Sequence, residues 1–368
     1  MRYVDEFRDP SRARVVADAI HAVVTRDWHI MEICGGQTHA IVRFGIEQLI
    51  PPKVHLIHGP GCPVCVTPAG IIDAAVRIAR DHRATLCTFG DMLRVPGTQG
   101  SLLDARARGA DVRIVYSPME AMDLAARCPD REVVFLAIGF ETTAPANALA
   151  VFTARRRGLR NFSVIVSHFL VPPAITSILE SDSVRIDGFL AAGHVCTVMG
   201  WKEYVPIAQR YRKPIVVTGF ELLDILQGIL LCVRQLEQGR CEVENQYSRS
   251  VRPEGNPQAR RLVEEVFQVI TGPWRGIGSI PHSRLGLRSA YREFDALEKF
   301  GIMDQSHEAS SGPCIAGKIL CGSARPPDCP AFGKACTPDH PLGAPMVSSE
   351  GACHAYYLYS RDSNPPNA

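Results

Sequence analysis

The sequence predicts an α/β protein in which two Rossmann-like parallel-sheet domains precede a Cys-rich C-terminal domain of mixed, mostly irregular or helical structure. Three observations carry this expectation. Between about residues 11 and 240, short β-branched or apolar runs alternate with helix-like segments, the pattern of strands laid parallel and flanked by helices. A Gly-Phe-Glu motif follows a strand-like run twice, at Gly139-Phe140-Glu141 and Gly219-Phe220-Glu221. From Ser311 onward Cys, Pro and Gly dominate.

Strands are expected at 29–33, 54–58, 84–88, 112–116, 133–138, 162–167, 188–191 and 214–218, each ending near Gly, Pro or a small polar residue. The run 70–80 carries helical apolar spacing at Ile71, Ile72, Ala75, Val76 and Ala79. The polar stretch 126–132 interrupts the series and divides it into a first α/β domain at 1–125 and a second at 126–238. A helix at 221–236 closes the second, a further helix is expected near 259–270, and the C-terminal domain covers 239–368. That Cys-rich tail has too little apolar surface to order alone and needs a metal clip or a neighbouring domain. Open sheets of this kind place their sites beyond the carboxyl ends of the strands.

Composition narrows the function. The chain has 368 residues, 46% of them hydrophobic and 21% charged, with a formal net charge of +2. That is enough chain for ordinary cores, and it offers no basic arm or acidic tail, so nucleic acid is not an expected partner. The start Met1-Arg2-Tyr3-Val4-Asp5-Glu6 lacks the form of a secretory signal. No apolar run approaches the ~18 to 20 residues needed to span a bilayer, so a cytoplasmic location without membrane contact is expected. Thirteen cysteines in a reducing compartment point to metal or redox chemistry rather than to structural bridges.

Three cysteine groups stand out. In Met31-Glu32-Ile33-Cys34-Gly35-Gly36-Gln37-Thr38-His39 a strand runs into a Gly-Gly turn and a helix expected to begin near Thr38. A thiol there would feel the aligned amides of a helix N-terminus, which lower its pKa, and the missing Cβ atoms would let a ligand approach. His39 stands near enough in sequence to share a proton or a metal, although a packed cysteine and a surface histidine satisfy the same spacing. In Gly59-Pro60-Gly61-Cys62-Pro63-Val64-Cys65 a Cys-x-x-Cys precedes a helix, which suits an exchangeable dithiol. A zinc half-site shares that spacing but lacks a matching pair elsewhere. The tail supplies Cys314, Cys321, Cys329, Cys336 and Cys353. Four thiolates suit zinc or an iron-sulfur cluster, and wide, irregular separations favour the cluster. Spacing alone does not say which of the five is spare. Cys87, Cys128, Cys196, Cys232 and Cys241 lie singly and are expected to pack as small hydrophobes. No phosphate loop, dinucleotide fingerprint, zinc-protease motif or nucleophile elbow is present.

These motifs, taken in order, closely resemble the HypD family of [NiFe]-hydrogenase maturation factors. The resemblance covers Glu32 to Ile41, His58 to Cys65, Cys87-Thr88-Phe89-Gly90-Asp91-Met92-Leu93-Arg94-Val95-Pro96-Gly97, Gly139-Phe140-Glu141-Thr142-Thr143, Gly193-His194-Val195, Val243-Glu244-Asn245-Gln246-Tyr247 and Met346-Val347-Ser348-Ser349-Glu350-Gly351-Ala352-Cys353. It implies a scaffold on which the iron centre carrying cyanide and carbon monoxide, Fe(CN)2CO, is assembled, acting with the small chaperone HypC and receiving cyanide from HypE. It further implies Cys34 as the thiolate that helps hold the iron, His39 as a nearby functional histidine, and Cys62 and Cys65 as a redox dithiol. The family's tail spacing fits Cys314, Cys329, Cys336 and Cys353 as ligands of a [4Fe-4S] cluster and leaves Cys321 spare. The chain departs from many members at Ala192 and Pro345, where they carry Pro and Cys. Two competing readings are an iron-sulfur-dependent disulfide reductase of a protein substrate, which needs Cys62 and Cys65 but not Cys34, and a zinc-stabilised interaction protein.

Overall fold

A computed structural model describes residues 5–181, 185–302 and 312–360. The start of the chain at Met1 to Val4 and the tail boundary at Ser311 lie outside the described residues. Eleven strands are described: β1 (Trp28–Glu32), β2 (Val54–His58), β3 (Thr85–Thr88), β4 (Val112–Ile114), β5 (Val133–Gly139), β6 (Phe162–Phe169), β7 (Gly188–Ala192), β8 (Ile215–Thr218), β9 (Val243–Asn245), β10 (Phe267–Trp274) and β11 (Gly278–Leu287). They form two sheets. The first has the order β2-β1-β7-β8-β9 and is parallel throughout. The second has the order β10-β11-β6-β5-β3-β4, in which β3 to β6 are parallel and the β10-β11 hairpin joins antiparallel to β6. The protein is therefore α/β with one parallel and one mixed sheet.

The eight expected strands all form, and the alternation of their side chains explains how the sheets pack. Met31 on β1, Phe189 and Ala191 on β7 and Val217 on β8 share one central core with Leu86, Val134, Leu136 and Ile165 of the second sheet. The opposite face of the first sheet, with Trp28, Ile30, Leu190 and Val216, is covered by the helices Pro10–Val23 and Leu222–Glu237. The opposite face of the second, with Val133, Phe135 and Ala137, lies under Pro118–Arg127, Ala144–Arg156 and Pro257–Val266. Every residue of β5 is buried, as expected of a parallel strand with both faces covered.

Two features differ from the sequence reading. The sheets do not separate at residue 125: the first is built from 28–58 and 188–245, the second from 85–169 and 267–287. The chain leaves the first sheet after β2, completes the parallel part of the second, and returns. Local patterning marks a strand but not its neighbour, so this crossing was not legible. The helix expected near 259–270 ends at Val266, and Phe267 opens β10. The hairpin turns at Gly276 and Gly278, both at positive φ, and Trp274, fully buried, donates from Nε1 to Ser283 Oγ at 2.8 Å. Hairpin pairing here overrides helical spacing. Among the described residues no helix is long and apolar enough to cross a membrane.

His168 on β6 is fully buried, and Asn147 Nδ2 donates to its Nε2 at 2.7 Å. Burial pushes the ring down to about 4, with Arg284 adding to the fall. Above an ordinary value of ~6.5 both the folded and unfolded chains carry a neutral ring. Between ~6.5 and about 4 only the unfolded chain takes up a proton, so stability falls as pH drops through that window. The loss is on the order of 3 kcal/mol. Urea unfolding at pH 7 and pH 4.5 checks this: His168→Gln should lose less stability than the parent on acidification, and equal losses would refute the assignment.

Candidate functional site

Cys34 lies where β1 passes into the helix Gly35–Arg43, with extended backbone at φ −153° and ψ 127°. The helix begins three residues earlier than expected. Gln37 pins it to the neighbouring strand ends, donating from Nε2 to the Ala191 carbonyl at 3.2 Å and to Thr218 Oγ1 at 2.6 Å. Cys34 Sγ stands 3.8 Å from Nε2 and 4.0 Å from Nδ1 of His194. His194 opens the helix Gly193–Met199 after β7, and its ring stacks on Phe220 beyond β8, with centroids 4.8 Å apart. From β1 the chain moves to β2 on one side, and from β7 to β8 on the other. Cys34 and His194 therefore meet at a topological switch point, where strand ends part to leave a crevice.

Cys34 is 2% exposed. Burial pushes its thiol well above the ordinary range; Glu350 adds to the rise, and the backbone amides of Gln37 and Gly36 oppose it. The helix-terminus field expected from sequence is present, but desolvation outweighs it. Burial also pushes His194 down to about 4, leaving a neutral imidazole with a lone pair for a metal. A soft thiol and a neutral imidazole side by side suit a transition metal. The surrounding rim is half-buried at Gly36, His194 and Phe220 and exposed at Glu350.

Close approach accounts for the glycines. A Cβ on Gly35 would stand 2.3 Å from the Glu350 carbonyl oxygen, and one on Gly61 would stand 2.2 Å from the Cys34 nitrogen. The space beside Gly35 expected for a ligand is thus filled by the tail. Beneath the site Glu32 is fully buried: Oε1 accepts from Thr38 Oγ1 at 2.5 Å and lies 2.6 Å from His58 Nδ1, while Oε2 accepts from the Cys34 N–H at 3.2 Å. His58 Nε2 lies 2.9 Å from the hydroxyl of Tyr356 in the terminal helix Ala352–Tyr359.

Cys62 and Cys65 are joined as a disulfide with Cα atoms 5.2 Å apart, in the short helical turn Pro63–Val66. They are 3% and 1% exposed and share the central core with Cys34. This turn bridges the sheets: the Arg275 N–H donates to the Val66 carbonyl at 2.8 Å, and Gly61 accepts from the Gly35 N–H at 3.1 Å. In the tail, Cys336 and Cys353 belong to a separate cluster with Cys329 against it. Burial pushes Cys353 up, and the neighbouring Cys314, Cys336 and Cys329 thiols push it further; Cys314 likewise feels Cys336 and Cys329. Burial raises Cys321. Leu342 donates its N–H to Cys336 Sγ at 3.3 Å. Among the described residues no three His, Cys, Asp or Glu side chains close tightly around a single ion.

His39 is not beside Cys34. Its Nδ1 lies 3.0 Å from the Ser349 carbonyl, and its ring meets Tyr359 edge-on at 5.2 Å. The histidine at the thiol is His194, 160 residues away in sequence. The short Gly193-His194-Val195 segment after a strand was the one available signal, and spacing could not join it to Cys34. Glu32, His58, Phe220 and Glu350 were also without a role in the sequence reading; His58, Phe220 and Glu350 act on partners distant along the chain, and the local partners of Glu32 at Cys34 and Thr38 leave no spacing signature.

The comparisons with known proteins agree over nearly the whole chain. Residues 11–360 match the family model described as HypD, hydrogenase formation hypA family. The chain is 51% identical to the hydrogenase expression/formation protein HupD of Azotobacter chroococcum mcd 1, covering 98% of this chain and 97% of that one. It is 50% identical to the hydrogenase maturation factor HypD of Rhizobium leguminosarum bv. viciae, over 98% and 96% of the two chains. The Escherichia coli K12 hydrogenase maturation factor HypD is 46% identical, over 99% and 100%.

The Phe220 ring stacks on His194 and lies with the Cys34 sulfur beside Gly36. Phe220→Ala should therefore raise the rate at which iodoacetamide modifies Cys34 several-fold, read by peptide mass spectrometry, while the buried Cys232 stays unmodified. Unchanged labelling at Cys34 would mean that Phe220 does not gate it.

Proposed function

The chain belongs to the HypD family of hydrogenase maturation factors, and from that premise we propose that it is the scaffold on which the Fe(CN)2CO moiety of [NiFe]-hydrogenase is assembled, its iron held through Cys34. The observation that carries this reading is the Cys34 thiol 3.8 Å from a neutral imidazole at the switch point of a parallel sheet. Iron is the cargo. Its positive charge favours the thiolate that burial alone disfavours, so the buried thiol is primed for a cation rather than for a free nucleophilic role. His194 offers a second soft donor, and Glu350 stands at the rim where it can accept a proton as the thiol ionises. His39 supports the site indirectly, by holding the Ser349 carbonyl next to Glu350.

The tail thiols fit a [4Fe-4S] cluster. In support, Cys353 feels the charges of Cys314, Cys336 and Cys329, and the Leu342 N–H directed at Cys336 is the kind of donor that tunes cluster thiolates. Were these cysteines ionised, their charges would oppose one another, and a cationic iron-sulfur core would relieve that opposition. The lack of a tight single-ion group does not weigh against it, because a cluster of several atoms keeps its thiolates farther apart than one ion does. When bound, such a cluster exchanges single electrons. The Cys62-Cys65 pair supplies a two-electron thiol couple on the loop that touches the Cys34 backbone. Both of its sulfurs are buried, which disfavours the alternative role as a reductase for a separate protein substrate.

The partners implied are a HypC-type small chaperone and a HypE-type cyanide donor, in the cytoplasm. Eleven of the thirteen cysteines are unpaired, which suits a reducing compartment in which the one disulfide has a redox rather than a structural purpose.

Infrared spectra of the chain co-purified anaerobically with its small chaperone test the central role. Cyanide and carbon monoxide bands should be present in the parent and absent in Cys34→Ala, and their persistence in that variant would sink the proposal. The tail assignment is tested separately by iron and sulfide analysis: Cys321→Ser should keep its visible absorption and iron, whereas Cys329→Ser should lose both.

A further inference from the structure

Of the two Gly-Phe-Glu motifs, the second borders the thiol site, and its backbone is tethered on both sides of Phe220. The Gly219 N–H donates to Gln246 Oε1 at 3.3 Å, and the Glu221 N–H donates to Asp224 Oδ2 at 3.3 Å. Between these two amides stands the ring that stacks on His194, inclined to it by 28°.

One carboxylate governs both tethers. Asp224 is fully buried, and its Oδ1 also accepts from Gln246 Nε2 at 2.9 Å, which orients the amide that receives Gly219. A helix cap would need no more than Asp224 and the Glu221 N–H. Here the carboxylate is gripped as well by Arg249, with Nη1 donating to Oδ1 at 2.8 Å and Nη2 to Oδ2 at 2.6 Å. Such a two-pronged contact fixes the plane of a carboxylate along with its charge. The guanidinium is itself held between two rings, its Cζ 3.9 Å from the Phe7 centroid and 4.3 Å from the Tyr247 centroid. Tyr247 in turn is wedged against the residues that precede Phe220 and His194. A Cβ on Gly219 would stand 2.7 Å from its Cε2, and one on Gly193 would stand 2.5 Å from its Cδ1. Its ring meets Phe220 edge-on, with centroids 6.4 Å apart.

We propose that Arg249 is a positioning residue of the thiol site: through Asp224 and Tyr247 it fixes the Gly219-Phe220-Glu221 turn, and thereby the orientation in which the Phe220 ring holds the His194 imidazole beside Cys34. Without the guanidinium, a carboxylate out of reach of water has to take up a proton or draw in solvent. Protonation turns one of its oxygens into a donor, so it no longer serves Glu221, Gln246 and the helix start together. The turn then slackens on both sides of Phe220, and the imidazole loses the ring against which it is set. This role rests on Cys34 and His194 being the pair that holds the iron, and it adds a residue that acts on the pair without touching it.

Proton NMR of the full-length, anaerobically purified protein, with its histidines isotopically labelled at Cε1, tests this. The His194 signal is identified by its loss in His194→Gln. The stacked Phe220 ring should displace that signal upfield in the parent, and Phe220→Leu gives its position without the ring. Arg249→Met should move it at least half of the way to the Phe220→Leu position, while the signals of the buried His58 and His168 stay in place. Arg249→Lys, which keeps the charge but not the fork, should move it less. A His194 signal that stays at the parent position in Arg249→Met, or that moves only together with His58 and His168, overturns the proposal. Should Arg249→Met fail to fold, Arg249→Lys decides by the same criterion. The signal is read without iron, so failure here strikes the role of Arg249 alone, whereas cyanide and carbon monoxide bands persisting in Cys34→Ala strike the reading on which it rests.

Discussion

The structure around the thiol depends on one buried carboxylate. Glu32 ends β1 out of reach of water, and an unpaired charge there would cost several kcal/mol. It is kept only because it collects Thr38 from the following helix, the Cys34 amide and His58 from the end of β2. Burial raises its pKa and those three partners oppose the rise. With Nδ1–H given to Glu32, His58 presents Nε2 to the Tyr356 hydroxyl, so the terminal helix is keyed to the same carboxylate. Two strand ends, a helix start and the tail are thereby fixed relative to Cys34. Such a network adds little net stability over an apolar core, but losing one member leaves the others unsatisfied.

Upon that frame, the two electrostatic forces on Cys34 act in opposite senses and differ in size. The amides at the start of its helix favour the anion, but they act on a thiol that has lost its water and has Glu350 nearby. Desolvation prevails, and the sulfur stays protonated. The neutral His194 ring is governed by the same burial acting on a base. The two shifts move in opposite directions, up for the acid and down for the base, and both leave neutral donors that a metal can convert into ligands.

The fold was legible wherever its signal was local. The β-branched runs gave all eight expected strands to within two residues or so, because turn residues and side-chain periodicity are written in neighbouring positions. The hairpin of β10 and β11 was hidden because its first strand continues the apolar spacing of the preceding helix, and only pairing with a distant β6 edge decides between them. The weaving of the chain between sheets is likewise a matter of partner choice. At the site, Cys34 and the Cys62-Cys65 pair could be singled out from spacing and turn chemistry. Replacing His39 by His194 as the neighbour of the thiol required knowing that β1 and β7 lie side by side. The sparing of Cys321 came from family resemblance, because spacing alone does not choose among the five tail cysteines.

The interleaved path has a consequence for biosynthesis. Because the first sheet waits for β7, β8 and β9 and the second for the β10-β11 hairpin, no early segment emerging from the ribosome can complete a core of its own, in contrast to proteins whose domains mature one after another. The crevice at Cys34 closes later still, once residues 348–350 have been synthesised and laid over Gly35. A chain made only as far as the second sheet therefore still lacks part of the wall around the Cys34 thiol.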